Sequence, residues 1–174
     1  MALLNIILRN LMGFDMLIFI LAAVNILFII PKINKYAVKI KQQLSPTVYK
    51  PLEALLKLIR EDAGDQSIDL HQIRTLKDRQ SFYYHLFINI NAIFPLLGIL
   101  GTVISLLRVT DLTNSLIVIN FTTALTSTLW GLIFAIGFKT VDGVIGAKVE
   151  ENEADFNLLI NRIDHITKGD VDEA

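Results

Sequence analysis

Five hydroxyls fall within seven residues of an otherwise apolar stretch: Thr122, Thr123, Thr126, Ser127 and Thr128. Serine and threonine can bond back to carbonyls of their own helix, so one or two such residues would carry little information. Five imply that some face water or a polar partner. In such a place a hydroxyl can act as a weak cation ligand or a hydrogen-bond relay. It cannot hold a migrating proton itself, because it ionises far too weakly. A second stretch, Phe94-Pro-Leu-Leu-Gly-Ile-Leu-Gly-Thr-Val-Ile-Ser105, carries a proline, two glycines three residues apart and two hydroxyls. Lipid offers small and polar side chains nothing, so both stretches present a face to something else.

At helical spacing, Gly98, Gly101 or Thr102, and Ser105 share one face of the 94–105 stretch. Ala124, Thr128, Gly131 and Ala135 share a face of the other. Small residues let membrane helices approach backbone to backbone. The two faces therefore either close on each other as a hairpin or, at their hydroxyls, line a polar pathway. Pro95 removes a backbone hydrogen bond and is expected to kink its helix. Asn25, deep in the first apolar block, is expected to bond to a neighbouring helix. Trp130 lies too deep for an interfacial belt, so its indole N–H calls for an internal acceptor.

Ionisable groups are as informative by their scarcity. No Asp, Glu, Lys, Arg or His occurs between Met16 and Ile30 or inside the other two apolar blocks. Proton-carrying membrane proteins need an ionisable group within the membrane. Either this chain moves no protons, or a partner supplies the carboxylate. Asp15, at the outer edge of the first block, reads as a solvated interface charge. His71, His85 and His165 are scattered and make no metal site, and the absence of cysteine excludes disulfides and thiol chemistry. A formal net charge of −1 gives no bulk basicity for nucleic acid. There is no nucleophile–base pair and no phosphate loop, so the chain does not read as an enzyme and no cofactor is expected.

The elements that must position these residues are membrane helices. The 174 residues are 53% hydrophobic and the apolar ones come in blocks. Three blocks reach the roughly 20 residues needed to cross hydrocarbon: 14–30, 86–107 and 116–138. The first lacks the basic start and small-residue cleavage site of a signal peptide and reads as a retained span. Of the 16 Lys and Arg residues, the 31–85 segment holds Lys32, Lys35, Lys39, Lys41, Lys50, Lys57, Arg60, Arg74, Lys77 and Arg79. The 139–174 tail adds Lys139, Lys148, Arg162 and Lys168, leaving only Arg9 and Arg108 for the other side. Positive charge stays cytoplasmic. The N-terminus is thus expected outside, the 31–85 loop and the tail inside, and 108–115 as an external turn.

Outside the spans, residues 1–13 suggest a short helix in the outer interface, with Leu4, Leu8 and Met12 on one stripe. In the loop, Leu52, Leu55, Leu56 and Ile59 recur at helical spacing after Pro51, and Gly64 ends that helix. From about Ser67, Leu70, Ile73 and Leu76 continue a helical pattern into the second span without a breaker. The tail, read as a helix over 139–174, carries a narrow apolar seam of Phe156, Leu159, Ile163 and Ile166. It fits either a short coiled coil or packing on the loop helices. The fold class is all-α.

The 94–103 run and, across a short turn, Ala124-Leu-Thr-Ser-Thr-Leu-Trp-Gly-Leu132 resemble the MotA/TolQ/ExbB proton-channel family. They match its patterns P-x-x-G-x-x-G-T-V and A-L-x-x-T-x-x-G-L. The resemblance covers residues 14–150, and the three-span order is similar to the TolQ/ExbB branch. It implies a ring-like homopentamer around the single transmembrane helices of two partner chains of the ExbD/TolR/MotB type, whose aspartate binds the proton. Pro95, Gly98, Gly101 and Thr102 fall on the second-span motif, and Thr128 and Gly131 on the third. Thr102 and Thr128 would then be the pore-lining hydroxyls, with Thr123 and Ser127 beside them on the ion path. One position departs: TolQ/ExbB members carry a glutamate directly before the Ala-Leu of the third-span motif, where this chain has Thr123.

The function implied is a subunit of an ion-driven motor or stator in the bacterial inner membrane. It would pass H⁺ or Na⁺ and couple the flow to force or rotation through its single-span partner. The competing reading is a non-conducting helical scaffold that anchors partner proteins. A solute transporter is disfavoured by having only three spans and no inverted repeat.

Overall fold

The computed structural model describes residues 15–48, 50–51, 70–107 and 114–172. Helix α1 (Asp15–Val24) passes through a π-helical turn (Asn25–Ile29) into α2 (Ile30–Val48). Helices α3 (Leu70–Leu107) and α4 (Asn114–Asp172) follow. No strand occurs among the described residues. Three helical stretches are long and apolar enough to cross a membrane: Asp15–Ser45, Leu70–Leu107 and Ala124–His165. The interfacial helix expected over 1–13, the helix expected after Pro51 and residues 108–113 of the external turn lie outside the described residues. The apolar third span and the polar tail are one helix of 59 residues. Hydropathy changes near Lys139, but no proline occurs between 114 and 172 to end the helix.

The chain divides into two compact units, Met1–Pro31 with His85–Gly143, and Lys32–Tyr84 with Val144–Ala174. In the first, α1 and the π turn bury Asp15, Ile18, Ala22, Asn25 and Ile29, one stripe at spacings of three and four. Helix α4 offers an aromatic ladder, Trp130, Phe134 and Phe138, each four residues from the next. Phe19 of α1 meets Trp130 and Phe134 edge-on at 4.9 and 5.4 Å. Phe94 of α3 meets Phe134 and Phe138 at 5.8 and 5.2 Å, and Phe87 meets Phe138 edge-on at 6.1 Å. Such pairs contribute about 0.5–1.5 kcal/mol each beyond area burial. Outward, the unit shows large apolar residues such as Phe28, Leu96, Val118 and Ile136, the surface of a body that lipid or other apolar surface surrounds.

The closest approach in this unit lies between α3 and α4. A Cβ placed on Gly131 would stand 2.7 Å from the Phe94 carbonyl oxygen and 3.0 Å from the Gly98 Cα. One on Gly98 would stand 3.0 Å from the Thr128 Cα. Only glycine fits where two backbones meet this way. Gly101, Ser105 and Ala124 are buried as well, and Ala135 is half-buried. The small faces of the two spans thus close on each other within one chain.

The second unit is an ordinary amphipathic assembly. Helix α2 buries Ile33, Ala37, Ile40, Leu44 and Val48 along one stripe. Ile40, Leu44 and Val48 form a core with Ile73 of α3 and Leu159 of α4, flanked by Leu70, Leu76, Phe156 and Ile163. The seam on α4 is therefore covered by helices of its own chain, α2 among them; the side chain of Ile166 lies outside the described residues. Asn152, buried in this unit, donates to the Ala37 carbonyl at 3.1 Å and lies 3.5 Å from Gln80 Oε1. Arg162 donates to the Val48 carbonyl and, at 2.7 Å, to the Lys50 carbonyl, satisfying groups at the C-terminal end of α2. Lys41–Glu151 at 2.8 Å is an exposed pair and Lys77–Glu153 at 3.2 Å a partly exposed one, and both add little.

Gly131→Ala should destabilise the protein although alanine is the better helix former. The propensity gain is about 1 kcal/mol, whereas overpacking costs about 1–3 kcal/mol and here meets backbone, which cannot rotate away. Gly137→Ala is the control, since nothing lies within 4 Å of its Cβ position. Thermal unfolding in detergent should show a lowered Tm for the first and not for the second. Equal Tm values would show that the backbones are not in contact.

Candidate functional site

Asp15, Thr102, Thr126, Ser127 and Thr128 meet in one layer of the first unit, and α4 supplies three of the five. Thr122 donates back to the Val118 carbonyl at 2.8 Å, a bond within its own helix. The Thr102 and Thr128 hydroxyls, from α3 and α4, are hydrogen-bonded to each other. Thr102 Oγ1 also lies 3.0 Å from the Gly98 carbonyl and 3.3 Å from that of Ala124, and Thr128 Oγ1 lies 3.2 Å from the Gly98 carbonyl. Two hydroxyl protons thus serve the two carbonyls and the partner hydroxyl, so the donors can redistribute without any atom moving far. The two threonines stand at one level. They meet because Gly98 and Gly131 bring the backbones together at this level.

On another side of α4, Ser127 donates to Asp15 Oδ1, and Thr126 Oγ1 lies 3.5 Å from Asp15 Oδ2. Asp15 is only 2% exposed and Ser127 1%. This corrects the reading of Asp15 as a solvated interface charge. The edge of an apolar block is not the edge of the buried region, because packing against α4 covers Asp15. Ser127 is the middle residue of the 116–138 block, about 16 Å from either end at 1.5 Å per residue, and Asp15 stands beside it. The sequence did carry a signal: Asp15 falls in phase with Ile18, Ala22, Asn25 and Ile29. The polar partner that the hydroxyl cluster called for is, for Ser127 and Thr126, a carboxyl of the same chain.

A third polar contact joins α3 to the π turn. Asn25, expected to bond to a neighbouring helix, donates to Asn91 Oδ1 at 3.4 Å. Asn25 is fully buried and its own Oδ1 has no partner among the described residues. Asn91 lies four residues before Pro95, which is inside α3 and has no N–H to offer its carbonyl. Trp130 is held by rings, Phe19 edge-on and Phe134 tilted at 6.2 Å. Of the residues assigned to the ion path from sequence, Thr102 and Thr128 are together, Ser127 lies on the neighbouring face against Asp15, and the side chain of Thr123 lies outside the described residues.

Compared with known proteins, residues 38–157 match the MotA/TolQ/ExbB proton channel family. No curated protein and no solved structure gives a match.

The hydroxyl pair predicts a measurable coupling. Thr102→Val and Thr128→Val each keep shape and remove one partner, so the double variant should lose less stability than the two single losses added together. Hydrogen bonds between membrane helices average roughly 0.6 kcal/mol, and a coupling of about that size is expected from the double-mutant cycle. Strict additivity would show that the hydroxyls do not bond to each other.

Proposed function

The chain belongs to the MotA/TolQ/ExbB proton channel family, and from that membership we propose that it is a subunit of a proton-driven motor or stator in the bacterial inner membrane. Several copies, five on the family pattern, form a ring around single-span helices of an ExbD/TolR/MotB-type partner. Ion flow through the ring is converted into force or rotation on that partner. The N-terminus is outside, and the 31–85 segment and the C-terminus are cytoplasmic. The observation that carries this reading is the family match over residues 38–157, which covers both small-faced spans. Three long apolar helices and a membrane channel family fit a multi-pass membrane protein. The charge asymmetry of the loops supports the orientation.

In this reading Thr102 and Thr128 solvate the charged form of a carboxylate as it passes. Hydroxyl donors lower the barrier because a carboxylate transferred unsolvated into an apolar medium is strongly disfavoured. The scaffold reading is favoured by one observation: Thr102, Thr122, Thr126, Ser127 and Thr128 all find partners inside one chain, as packing alone would require.

A flux assay on the complex purified with its partner separates the two. Thr128→Val should assemble yet lose most ion flux and all work output, and Thr128→Ser should retain much of both. Parent-like flux in the Val variant would reduce Thr128 to packing and end the pore assignment, and no flux from the parent complex would favour the scaffold.

Topology is tested separately. A reporter after Thr47 should be cytoplasmic, and a reporter near Leu112 external. Protection of the Leu112 site from external reagents would overturn the orientation.

A further inference from the structure

The proposed ion flow leaves one buried group unused. Asp15 lies buried against Ser127 and Thr126 of the apolar 116–138 stretch. Residues 16–31, 86–107 and 112–138 contain no other Asp, Glu, Lys, Arg or His. The parts of α1, α3 and α4 packed in this unit near Asp15 therefore bring no countercharge and no second titratable group. Among the described residues, Ser127 and Thr126 are the groups that hydrogen-bond to this carboxyl. A structural pin between α1 and α4 would not need a carboxyl, since an amide or a second hydroxyl joins helices without the burden of an ionisable group in hydrocarbon. Asn25 and Asn91 do that in the same unit. Ionisable residues kept inside a membrane mark ion pathways and proton relays.

We propose that Asp15, cradled by Ser127 and Thr126, is a proton-binding site that this chain contributes within the membrane. The site takes up a proton on a carboxylate oxygen and gives it back. The two hydroxyls donate to the charged form, and each can turn to accept from the protonated one. Ser127 directly precedes Thr128, so the carboxyl and the Thr102–Thr128 pair occupy the same layer on two sides of α4. The inference deepens the proposed conduction and rests on it for its purpose: the subunit, and not its partner alone, carries a group that can be charged and discharged.

The test uses the full chain alone in liposomes, with the bath pH stepped while infrared difference spectra are recorded. The parent should show a protonated-carboxyl C=O stretch that appears and disappears with pH and is missing from Asp15→Asn. Ser127→Ala, which leaves the carboxyl in place, should shift that band by removing a hydrogen-bond partner. A pin with no proton traffic would give no pH-dependent band belonging to Asp15. If Asp15→Asn fails to fold, the Ser127→Ala shift decides: no carboxyl band moved by that substitution overturns the site. The spectra need no flux. A chain whose Asp15 titrates but whose purified complex does not conduct would overturn the proposed function and keep the site. A conducting complex with a spectroscopically silent Asp15 would do the reverse.

Discussion

The contact on which the membrane part of this protein depends is the meeting of two backbones at Gly98 and Gly131. In lipid there is no hydrophobic gain from bringing helices together, so association relies on close packing and on hydrogen bonds that packing makes possible. The glycines bring α3 and α4 near enough for a carbonyl of one helix, Phe94 O, to approach the Cα of the other. Everything else in that layer follows from this distance. The Thr102 and Thr128 hydroxyls reach each other, Thr128 reaches the Gly98 carbonyl, and Phe94 is set into the ring ladder of α4.

Successive residues of an α-helix are turned by about 100°. Ser127 and Thr128 therefore point to different neighbours from one level of α4, Ser127 to α1 and Thr128 to α3. A helix with a single hydroxyl there would serve one neighbour and leave the other to apolar packing. The Asp15 carboxyl and the Thr102, Ser127 and Thr128 hydroxyls thus share one layer, with rings on the side of Phe138. The other unit solves its packing in water's terms: a stripe of Ile and Leu inside, ion pairs outside, and the buried Asn152 and Gln80 bonded to each other.

Periodicity made much of this readable in advance. Small residues at spacings of three and four named the face on which α3 and α4 meet, and a lone Asn in an apolar block named a helix contact. What periodicity does not give is register between helices. Depths counted inward from the separate ends of two blocks put Thr102 and Thr128 apart, while the glycine contact puts them together. Asp15 was misjudged for a related reason: hydropathy locates where a block of apolar residues stops, not how deep that point sits beside its neighbours. The single helix through Lys139 was obscured likewise, because polarity changes there and backbone preference does not.

Where the π turn meets α3, hydrogen bonding is undersubscribed. The widened turn begins at Asn25, whose side-chain oxygen has no partner among the described residues, and the proline at position 95 denies the Asn91 carbonyl its usual helical donor. Two acceptors at one pair of asparagines thus lack a usual donor. A helix bends most cheaply where it has fewest bonds to break. Bending therefore costs least at that seam and most in the glycine-locked layer beyond Pro95, where backbone meets backbone.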